Sequence, residues 1–266
     1  MTADAAVSAS PPALSLVGVS KSFPGPEKDF LALQDIHLKV GRGEFVSILG
    51  PSGCGKSTLL YIIGGFILAT HGSIHANGRL VDAPGRDRGL VFQDAALFPW
   101  LTVRGNIAYG LREGGMKRGD VNRVVHDMLS LVHLDGFADF YPKQLSGGMR
   151  QRVAIARTLA YDPGILLMDE PFGALDAYTR SVLQDELLRI QDSHHKTIVF
   201  VTHSVDEAVY LSDRVVVLDR SPGRVHSEVN VDLPRPRRRQ TLLRDERYQQ
   251  HVIDLGSVMM AMHADA

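Results

Sequence analysis

A glycine-rich segment at residues 50–58, GPSGCGKST, has the residue types and the spacing needed to hold phosphate groups. Its pattern is a glycine, four residues and then Gly-Lys-Ser/Thr. Glycines let the backbone turn tightly and point its N–H groups at phosphate oxygens. Lys56 would bring a positive charge to the β- and γ-phosphates, Ser57 a hydroxyl group to Mg²⁺, and Thr58 a contact with the α-phosphate. The segment therefore predicts a site for ATP and Mg²⁺, formed by Gly50, Pro51, Ser52, Gly53, Cys54, Gly55, Lys56, Ser57 and Thr58.

Cys54 lies inside this loop, just before a predicted helix. We interpret it as a small filler residue without a chemical role. Helix N-termini lower the pKa of a thiol, so a reactive cysteine is the other interpretation, in which labelling by a bulky maleimide blocks hydrolysis and is slowed by MgATP. Cys54 is the only cysteine of the chain, which excludes an internal disulfide and a cysteine-ligated zinc site.

Two adjacent carboxylates end the apolar run ILLMDE at residues 165–170. A carboxylate at the end of a buried strand is costly unless a cation is near, and for Asp169 that cation would be Mg²⁺. Glu170 follows directly and points differently, so we expect it to act as the general base for the attacking water. His203 comes just after the next apolar run and is expected beside the same crevice, outside the carboxyl ends of the strands.

A second glycine segment, LSGGMRQR at residues 145–152, begins another helical pattern. Helix N-termini carry free backbone N–H groups and attract anions, so Ser146, Gly147 and Gly148 form a second candidate phosphate-binding element. Two such elements in one chain suggest a head-to-tail dimer, in which residues 146–148 of each subunit close on the ATP held by the other subunit.

Apolar runs alternate with helical patterns along most of the chain, and this alternation predicts a parallel sheet. The helical pattern between residues 103 and 160 indicates an inserted subdomain. Asn77-Gly78 predicts the turn of a hairpin over 73–81. The other strands are expected at 13–19, 33–40, 44–49, 90–92, 165–168, 197–201 and 215–218, with a helix at 57–66 and a loop at 23–29.

The composition is that of a globular protein, with 266 residues, 44% of them hydrophobic and 22% charged. A net charge of −1 argues against a generally basic nucleic-acid binder, and an aromatic share of 7% argues against base-stacking platforms. The most apolar run, residues 61–69, is shorter than the about 20 residues of a membrane span. Lys21 is the first basic residue, so we expect no secretory signal.

Taken together, GPSGCGKST, LSGGMRQR, ILLMDE and Thr202-His203 resemble the motifs of the ATP-binding-cassette (ABC) ATPases, the motor subunits of membrane transporters. The resemblance covers residues 14–231, and Met149 stands where the commonest form of the signature, LSGGQ, has glutamine. It implies an α/β fold: a phosphate-loop (RecA-like) parallel-sheet core, an N-terminal antiparallel β subdomain and an inserted α-helical subdomain. The implied organisation is a disordered N-terminus at 1–12, an ATPase domain at 13–231 with its helical subdomain at about 95–160, and a basic segment with a C-terminal helix at 232–266.

The resemblance also implies roles for single residues. Gln93 is similar to the Q-loop glutamine, which reaches Mg²⁺ and the attacking water, or else it is only a solvent-exposed side chain. His203 resembles the switch histidine that contacts the γ-phosphate. Asp176 resembles the D-loop aspartate of the dimer interface; it could also be a helix N-cap, or serve in both ways. Phe23 resembles the aromatic that stacks on adenine, or else it is a core residue. The implied catalytic residues are Lys56, Gln93, Glu170 and His203, and the implied metal ligands are Ser57, Gln93 and Asp169.

A basic stretch near the end of the chain, LPRPRRRQ, occupies residues 233–240. We interpret it as a solvated tail, or as a patch attracted to anionic lipid headgroups. Further on, apolar side chains recur at spacings of four, three, four and three, which places them on one face of a helix. They are Tyr248, Val252, Leu255, Met259 and Met262.

The segment LFPWLTVRGNIAYGL at 97–111, with LPRPRRR, is similar to the nitrate/sulfonate/taurine import group of the family. The resemblance implies ATP and Mg²⁺ as cofactors, and as partners a second copy of the chain, integral membrane permease subunits and, indirectly, an extracytoplasmic solute-binding protein, without nucleic acid. The subunit is expected peripherally on the cytoplasmic face of the inner membrane. In the family, the region that corresponds to residues 98–103 receives the coupling helices of the permease. Trp100 is therefore a candidate contact residue, or else a packing residue. Since 35 residues of the sequence follow Val231, we do not expect the regulatory domain that is typical of sugar, polyamine and sulfate importers.

Other functions share part of this pattern. An efflux ATPase has the same motifs. A soluble cassette ATPase acting on nucleic acid or ribosomes usually has a long coiled-coil insertion or a second cassette, and the sequence shows neither. A non-hydrolysing module is expected to lack Lys56, Glu170 or His203, and a GTPase to have an Asn-Lys-x-Asp signature, so both are disfavoured.

Overall fold

The structure is a computed structural model that describes residues 11–264. Its strands are β1 (Leu14–Phe23), β2 (Phe30–Val40), β3 (Phe45–Leu49), β4 (His71–Ala76), β5 (Arg79–Leu80), β6 (Arg88–Val91), β7 (Ile165–Asp169), β8 (Thr197–Thr202), β9 (Arg214–Leu218) and β10 (Val225–Asn230). Its α-helices are α1 (Lys56–Gly64), α2 (Val103–Glu113), α3 (Arg118–Leu131), α4 (Gly147–Ala160), α5 (Ala177–His194), α6 (Val205–Leu211), α7 (Arg239–Leu242) and α8 (Glu246–Ala264).

The larger sheet has six strands in the order β10-β9-β3-β8-β7-β6. All neighbours pair in parallel except β10, which is antiparallel to β9. Every residue of β3, β7 and β8 is buried, because helices or the smaller sheet cover both faces. Such strands are continuous apolar runs in the sequence, and for that reason they were predictable.

The two faces of this sheet lie in two separate apolar clusters. Successive side chains of a strand point to opposite faces. Phe45 and Phe200 therefore belong to a cluster shared with α2–α6 and α8, whereas Val46 and Val199 belong to one shared with α1 and the smaller sheet. The sheet is thus the central layer of the chain, and its carboxyl edge is fixed from both sides.

The smaller sheet is antiparallel, with the order β2-β1-β4-β5. Asn77 and Gly78 both have positive φ, 49° and 78°, at the turn between β4 and β5, so the predicted hairpin is confirmed. One parallel-sheet core, one antiparallel sheet and a group of helices confirm the predicted α/β class.

The helical layer consists of α2, α3 and α4, which lie between β6 and β7 in the chain. Asn106 is fully buried at its base. Its side-chain amide accepts a hydrogen bond from Phe98 N at 2.8 Å and donates to the carbonyl oxygens of Phe98, Leu101 and Thr102 at 3.1–3.2 Å. One asparagine therefore fixes the backbone of the loop that carries Trp100.

Several predicted boundaries shift by a few residues. β1 extends to Phe23 and β2 begins at Phe30, so the loop between them is shorter than predicted. α1 ends at Gly64 instead of continuing to Phe66, because Gly65 takes the left-handed conformation of a C-cap, with φ 80°. β10 was not predicted, since this edge strand is half exposed and has few apolar residues.

The interpretation of the basic stretch as a solvated tail or lipid-facing patch is wrong for two of its arginines. Arg237 is buried, and its Nη1 donates to the carbonyl oxygens of Val209, Tyr210 and Ser212 at 2.9–3.2 Å, at the end of α6. Arg235 forms ion pairs at 2.9 Å with Asp192 and at 2.8 Å with Asp213. A guanidinium group suits this role, because it satisfies carbonyls that a helix end leaves unpaired.

The C-terminal helix α8 packs on the core with the predicted face. Tyr248, Leu255, Met259 and Met262 are buried, and Val252 is partly buried against the same cluster. The predicted disordered N-terminus lies, for residues 1–10, outside the described residues. The division into 13–231 and 232–266 stays a prediction. Among the described helices, none combines the length and the apolar character required to cross a membrane.

The docking of α8 can be measured through one buried and one exposed side chain. Leu255 is 1% exposed, whereas Ile253 on the same helix is 60% exposed. Leu255→Ala is expected to lower the free energy of unfolding by about 2–5 kcal/mol, because it removes buried methyl groups and leaves a cavity. Ile253→Ala serves as the control, with a change below about 0.5 kcal/mol. Urea titration of both variants checks this, and equal losses would show that α8 does not pack as described.

Candidate active site

The phosphate loop connects the carboxyl end of β3 to the N-terminus of α1. Gly55 has φ 95°, and a Cβ there would lie 2.7 Å from Leu33 Cδ2 and 3.0 Å from Ala32 O, so only glycine is accommodated. Gly53 also has positive φ, 81°, but faces open space. The loop is therefore tight against β2 on one side and open on the other, where its N–H groups and the N-terminus of α1 can meet an anion.

The Lys56 ammonium group lies within this loop. The residue is 5% exposed, and its Nζ donates to Gly50 O and Pro51 O, each at 2.8 Å. Carbonyl dipoles solvate the ammonium group but do not neutralise its charge. The loop is consequently an electropositive concavity that a phosphate group would complement.

Asp169 is fully buried at the end of β7. Its Oδ1 accepts a hydrogen bond from Ser57 Oγ at 3.0 Å, whereas its buried Oδ2 has no hydrogen-bond partner. Burial raises the pKa of this carboxyl group, and hydrogen bonds from Ser57 and Tyr61 oppose the rise. An unpaired buried oxygen beside a hydroxyl group is a donor set that suits a hard cation such as Mg²⁺.

A metal ion would need further ligands from the substrate. Within residues 11–264, no group of three or more His, Cys, Asp or Glu side chains is arranged to hold a metal ion. Mg²⁺ binds through one or two protein oxygens plus phosphate oxygens and water. Ser57 and Asp169 therefore fit a magnesium ion that binds together with a triphosphate.

Glu170 and His203 lie side by side at the same edge. Glu170 has φ 43°, which turns its side chain away from that of Asp169, and its N donates to Val201 O at 3.0 Å. A non-glycine residue in this region is strained, and such strain is typical of functional sites. His203 Nδ1 lies 2.9 Å from Glu170 Oε2, and the histidine side chain is 62% exposed. The two predicted residues are thus brought together, with the imidazole facing solvent.

Gln93 lies just beyond the carboxyl end of β6 and is exposed. The residue before it is fixed on both sides. Phe92 O accepts a hydrogen bond from Gln151 Nε2 of α4 at 3.1 Å, and the Phe92 ring lies 5.7 Å from that of Tyr61. Gln93 is therefore positioned between the sheet and the helical layer.

The remaining predicted residues lie at helix and strand ends. Ser146 is the N-cap of α4 and accepts from Met149 N at 3.2 Å, so Gly147 and Gly148 form its first turn. Asp176 is the N-cap of α5, and the hydrogen bond from Thr179 N lowers its pKa. Phe23 ends β1 outside the buried core, with Lys21 Nζ 4.9 Å from its ring centroid.

Tyr61 is a residue of the site that sequence reasoning missed. Burial, reinforced by the charge of Asp169, raises the pKa of its hydroxyl group to about 12. The signal was present in the sequence, because Tyr61 lies four residues after Ser57, and residues at that spacing share one face of a helix.

The alternative interpretation of Cys54 as a reactive cysteine is wrong. The thiol is 1% exposed, and burial raises its pKa, an effect that the nearby Lys56 charge only partly offsets. The dipole of the helix N-terminus therefore does not decide the chemistry of this cysteine, because desolvation of the thiolate outweighs it.

Comparison with known proteins places the chain among transporter subunits. The family model described as ABC transporter matches residues 33–173. The chain is 48% identical over 224 residues to the aliphatic sulfonates import ATP-binding protein SsuB of Bacillus cereus, covering 84% of this chain and 88% of that protein. It is 48% identical over 239 residues to the bicarbonate transport ATP-binding protein CmpC of Synechococcus elongatus, covering 88% of this chain but 36% of that protein. Among solved structures, the dimeric post-hydrolysis state of the ATP-binding cassette MJ0796 bound to ADP and Pi matches with a TM-score of 0.77 and 35% identity, over 83% of this chain and all of that one.

The burial of Cys54 predicts slow labelling. At pH 7 a bulky maleimide is expected to react with the native protein about 100-fold more slowly than with the urea-unfolded chain, because the thiol is inaccessible and its thiolate is disfavoured. The unfolded chain serves as the control, since Cys54 is its only thiol. Mass spectrometry of timed samples measures both rates, and equal rates would contradict the buried position.

Proposed function

The chain belongs to the ABC transporter family of ATPases coupled to transport, and we propose that it is the ATP-hydrolysing subunit of an importer for a small anionic solute of the nitrate, sulfonate or taurine type. The observation that carries the catalytic part is the pairing of Glu170 with His203 next to the Ser57–Asp169 pair. The relatives SsuB and CmpC, named for sulfonate import and bicarbonate transport, support an anionic solute and favour import over efflux.

In the proposed mechanism, the phosphate loop and Lys56 hold the triphosphate of ATP, while Phe23 stacks on the adenine. Ser57, Asp169 and Gln93 would hold Mg²⁺. When bound, this ion neutralises phosphate charge and orients the γ-phosphate. Lys56 already lies beneath the loop, so the positive charge is in place before the nucleotide arrives.

Glu170 is proposed to accept a proton from the attacking water, and His203 to hold the γ-phosphate. A general base must lie within hydrogen-bond reach of the water, and a partner that fixes its orientation raises its efficiency. The 2.9 Å contact between His203 Nδ1 and Glu170 Oε2 provides that orientation. Because the imidazole is mostly exposed, its other nitrogen is free to reach a bound phosphate.

A second copy of the chain would complete the site. Gly147 and Gly148 begin α4 directly after the cap at Ser146, so unpaired backbone N–H groups are available for a γ-phosphate from outside the chain. Asp176 caps α5 and is exposed, as an interface residue would be before association. The dimeric state of the similar ATP-binding cassette supports this arrangement.

Permease subunits are proposed to dock between the sheet core and the helical layer. A groove of about 610 Å³ lies there, and its lining includes the aromatic side chains of Phe66, Phe92, Phe98, Tyr109 and Tyr161. Trp100, beside this groove, is 71% exposed. A groove with aromatic walls and an exposed tryptophan is suited to an amphipathic helix from a partner. The solute-binding protein and the cytoplasmic face of the inner membrane follow from this assignment as proposals.

The assignment to import is tested in the source organism. Deletion of the gene is expected to abolish high-affinity uptake of one small anion among radiolabelled nitrate, taurine, an alkanesulfonate and bicarbonate, and the wild-type gene is expected to restore it. Complementation with the Lys56→Ala variant is the control for ATP dependence. Unchanged uptake of all four anions, together with loss of efflux of another compound, would contradict the import assignment.

The role of Glu170 is tested by Glu170→Gln, which keeps the size and the hydrogen-bonding capacity but removes the basicity. ATP hydrolysis is expected to fall by about two to four orders of magnitude, while MgATP binding survives, since Lys56, Ser57 and Asp169 are unchanged. Slow hydrolysis is also expected to trap a dimer, seen by size-exclusion chromatography with MgATP and not with ADP.

The matched control is Glu246→Gln, which removes an exposed carboxylate at the start of α8. It is expected to hydrolyse ATP at the wild-type rate and to show no trapped dimer. Normal hydrolysis by Glu170→Gln would remove this residue from the catalytic role. An inactive variant that stays monomeric at saturating ATP would contradict the dimer formed by isolated subunits.

The docking groove is tested by Trp100→Ala. The variant is expected to co-purify with the permease subunits at a level reduced about tenfold or more, because truncation of an aromatic anchor typically costs 2 kcal/mol or more of binding free energy. ATP binding by the isolated subunit is expected to be unchanged. Leu80→Ala, which truncates another exposed apolar side chain at 58% exposure, is the control. Equal recovery of permease with both variants would exclude this surface.

A further inference from the structure

The basic C-terminal segment contacts the helix that follows His203. Arg237, whose side chain is 0% exposed, donates to three carbonyl groups at the C-terminal end of α6. Arg239 lies over the ring of Tyr210 in α6, with its guanidinium carbon 4.1 Å from the ring centroid. The segment therefore holds α6 at its C-terminal end.

Arg239 also begins a chain of polar contacts. Its Nη2 donates to Gln184 Oε1 of α5 at 2.6 Å. Gln184 Nε2 in turn donates to Glu207 Oε1 of α6 at 3.0 Å. The other carboxylate oxygen, Glu207 Oε2, accepts from Thr202 Oγ1 at 2.7 Å. Four side chains from four parts of the sequence are thus connected in one line.

This line ends at the two residues that flank His203. We call residues 202–204 the switch loop. Thr202 Oγ1 accepts the backbone N–H of Ser204 at 3.0 Å, and Ser204 Oγ accepts that of Glu207 at 3.3 Å. The backbone on both sides of His203 is therefore fixed by the same hydrogen bonds that connect to Glu207.

Two members of this line are buried, whereas Glu207 and Arg239 are half-buried. Gln184 is 3% exposed and Thr202 is 1% exposed. A buried polar group without a partner costs the free energy of its desolvation, so the network favours the arrangement in which Gln184 and Thr202 keep their partners. Removal of Arg239 would leave Gln184 Oε1 unpaired and free the amide to turn away from Glu207.

We propose that Arg239 and Gln184 are positioning residues for hydrolysis, which act through Glu207 and Thr202 on the orientation of His203. The inference rests on the proposed catalytic role of His203. Neither residue belongs to the phosphate loop or to the switch loop, and the C-terminal segment thereby becomes part of the network that aligns the switch loop.

The experiment compares the steady-state ATPase activity and the MgATP affinity of the full-length subunit. Arg239→Ala and Gln184→Met, which retains the length of the side chain without its polar atoms, are expected to lower kcat about tenfold, because small misplacements of a catalytic group have effects of this size. KM and the dissociation constant for MgATP are expected to stay within about twofold of wild type, since the phosphate loop is not part of the network. Arg239→Lys, which keeps the charge and a donor, is expected to recover most of the rate. Arg238→Ala removes the adjacent, exposed arginine and is expected to leave all values unchanged.

A second comparison separates positioning from a general structural effect. In a His203→Ala background, Arg239→Ala is expected to cause no further loss of the residual rate, because residues that act through a common partner are not additive. An equal fold-loss in both backgrounds, a wild-type kcat for Arg239→Ala, or a loss of MgATP affinity in step with kcat would each overturn the inference.

The outcome for His203→Ala alone distinguishes this inference from the proposed function. Wild-type hydrolysis by His203→Ala would remove the histidine from the mechanism, and the proposed function would fail at that point. An inactive His203→Ala combined with a fully active Arg239→Ala would leave the proposed function intact and reject only the positioning role.

Discussion

The geometry of the site depends on the burial of one carboxylate, that of Asp169. One of its oxygens is held by Ser57 and the other is buried without a hydrogen-bond partner. Burial opposes its charge, so the ionised form depends on the hydrogen bond from Ser57 and would be stabilised further by a cation. Ser57 lies in the same helical turn as Lys56. Its hydrogen bond to Asp169 therefore requires a fixed distance between the phosphate loop and the end of β7. The parallel pairing of β3, β8 and β7 maintains that distance.

The order of the strands also brings Asp169, Glu170 and His203 to the same edge of the sheet. Asp169 is opposite Val201 in the pairing of β7 with β8, and the next residue, Glu170, bonds to the same position through its backbone N–H. The chain then leaves both strands at the same edge, which brings His203 within 2.9 Å of a residue 33 positions earlier. The left-handed backbone of Glu170 is the local cost of directing two consecutive carboxylates to different partners, Ser57 and His203. If β7 and β8 were not neighbours in the sheet, Glu170 and His203 would not be in contact.

Local rules predicted those features whose cause lies within a few residues. The phosphate loop has its glycines where the backbone requires positive φ or close approach, as at Gly55, and Asn77-Gly78 forms the expected turn. The periodicity around Leu255 predicted the buried face of α8, since burial of one helix face imposes that spacing. Cys54 shows the limit of such rules. The helix N-terminus argues for a low thiol pKa, but the packing of β1–β3 around the loop, invisible in the local sequence, desolvates the thiol and reverses the direction.

The features that could not be predicted are side-chain contacts between distant segments. Arg237 looks like an ordinary member of an exposed basic run, and only the position of α6 makes it a buried cap for three carbonyl groups. Gln184 and Glu207 carry no motif, yet they connect α5 and α6 to the strand end at Thr202. Motifs identify residues that touch ATP, because phosphate chemistry fixes their type and spacing. The residues that hold those groups in place are constrained only by distance and burial, so several side chains could serve, and the sequence alone does not mark which ones do. A cassette can therefore keep its motifs while its switch loop is supported by whatever segment packs behind it, here a basic stretch outside the motifs.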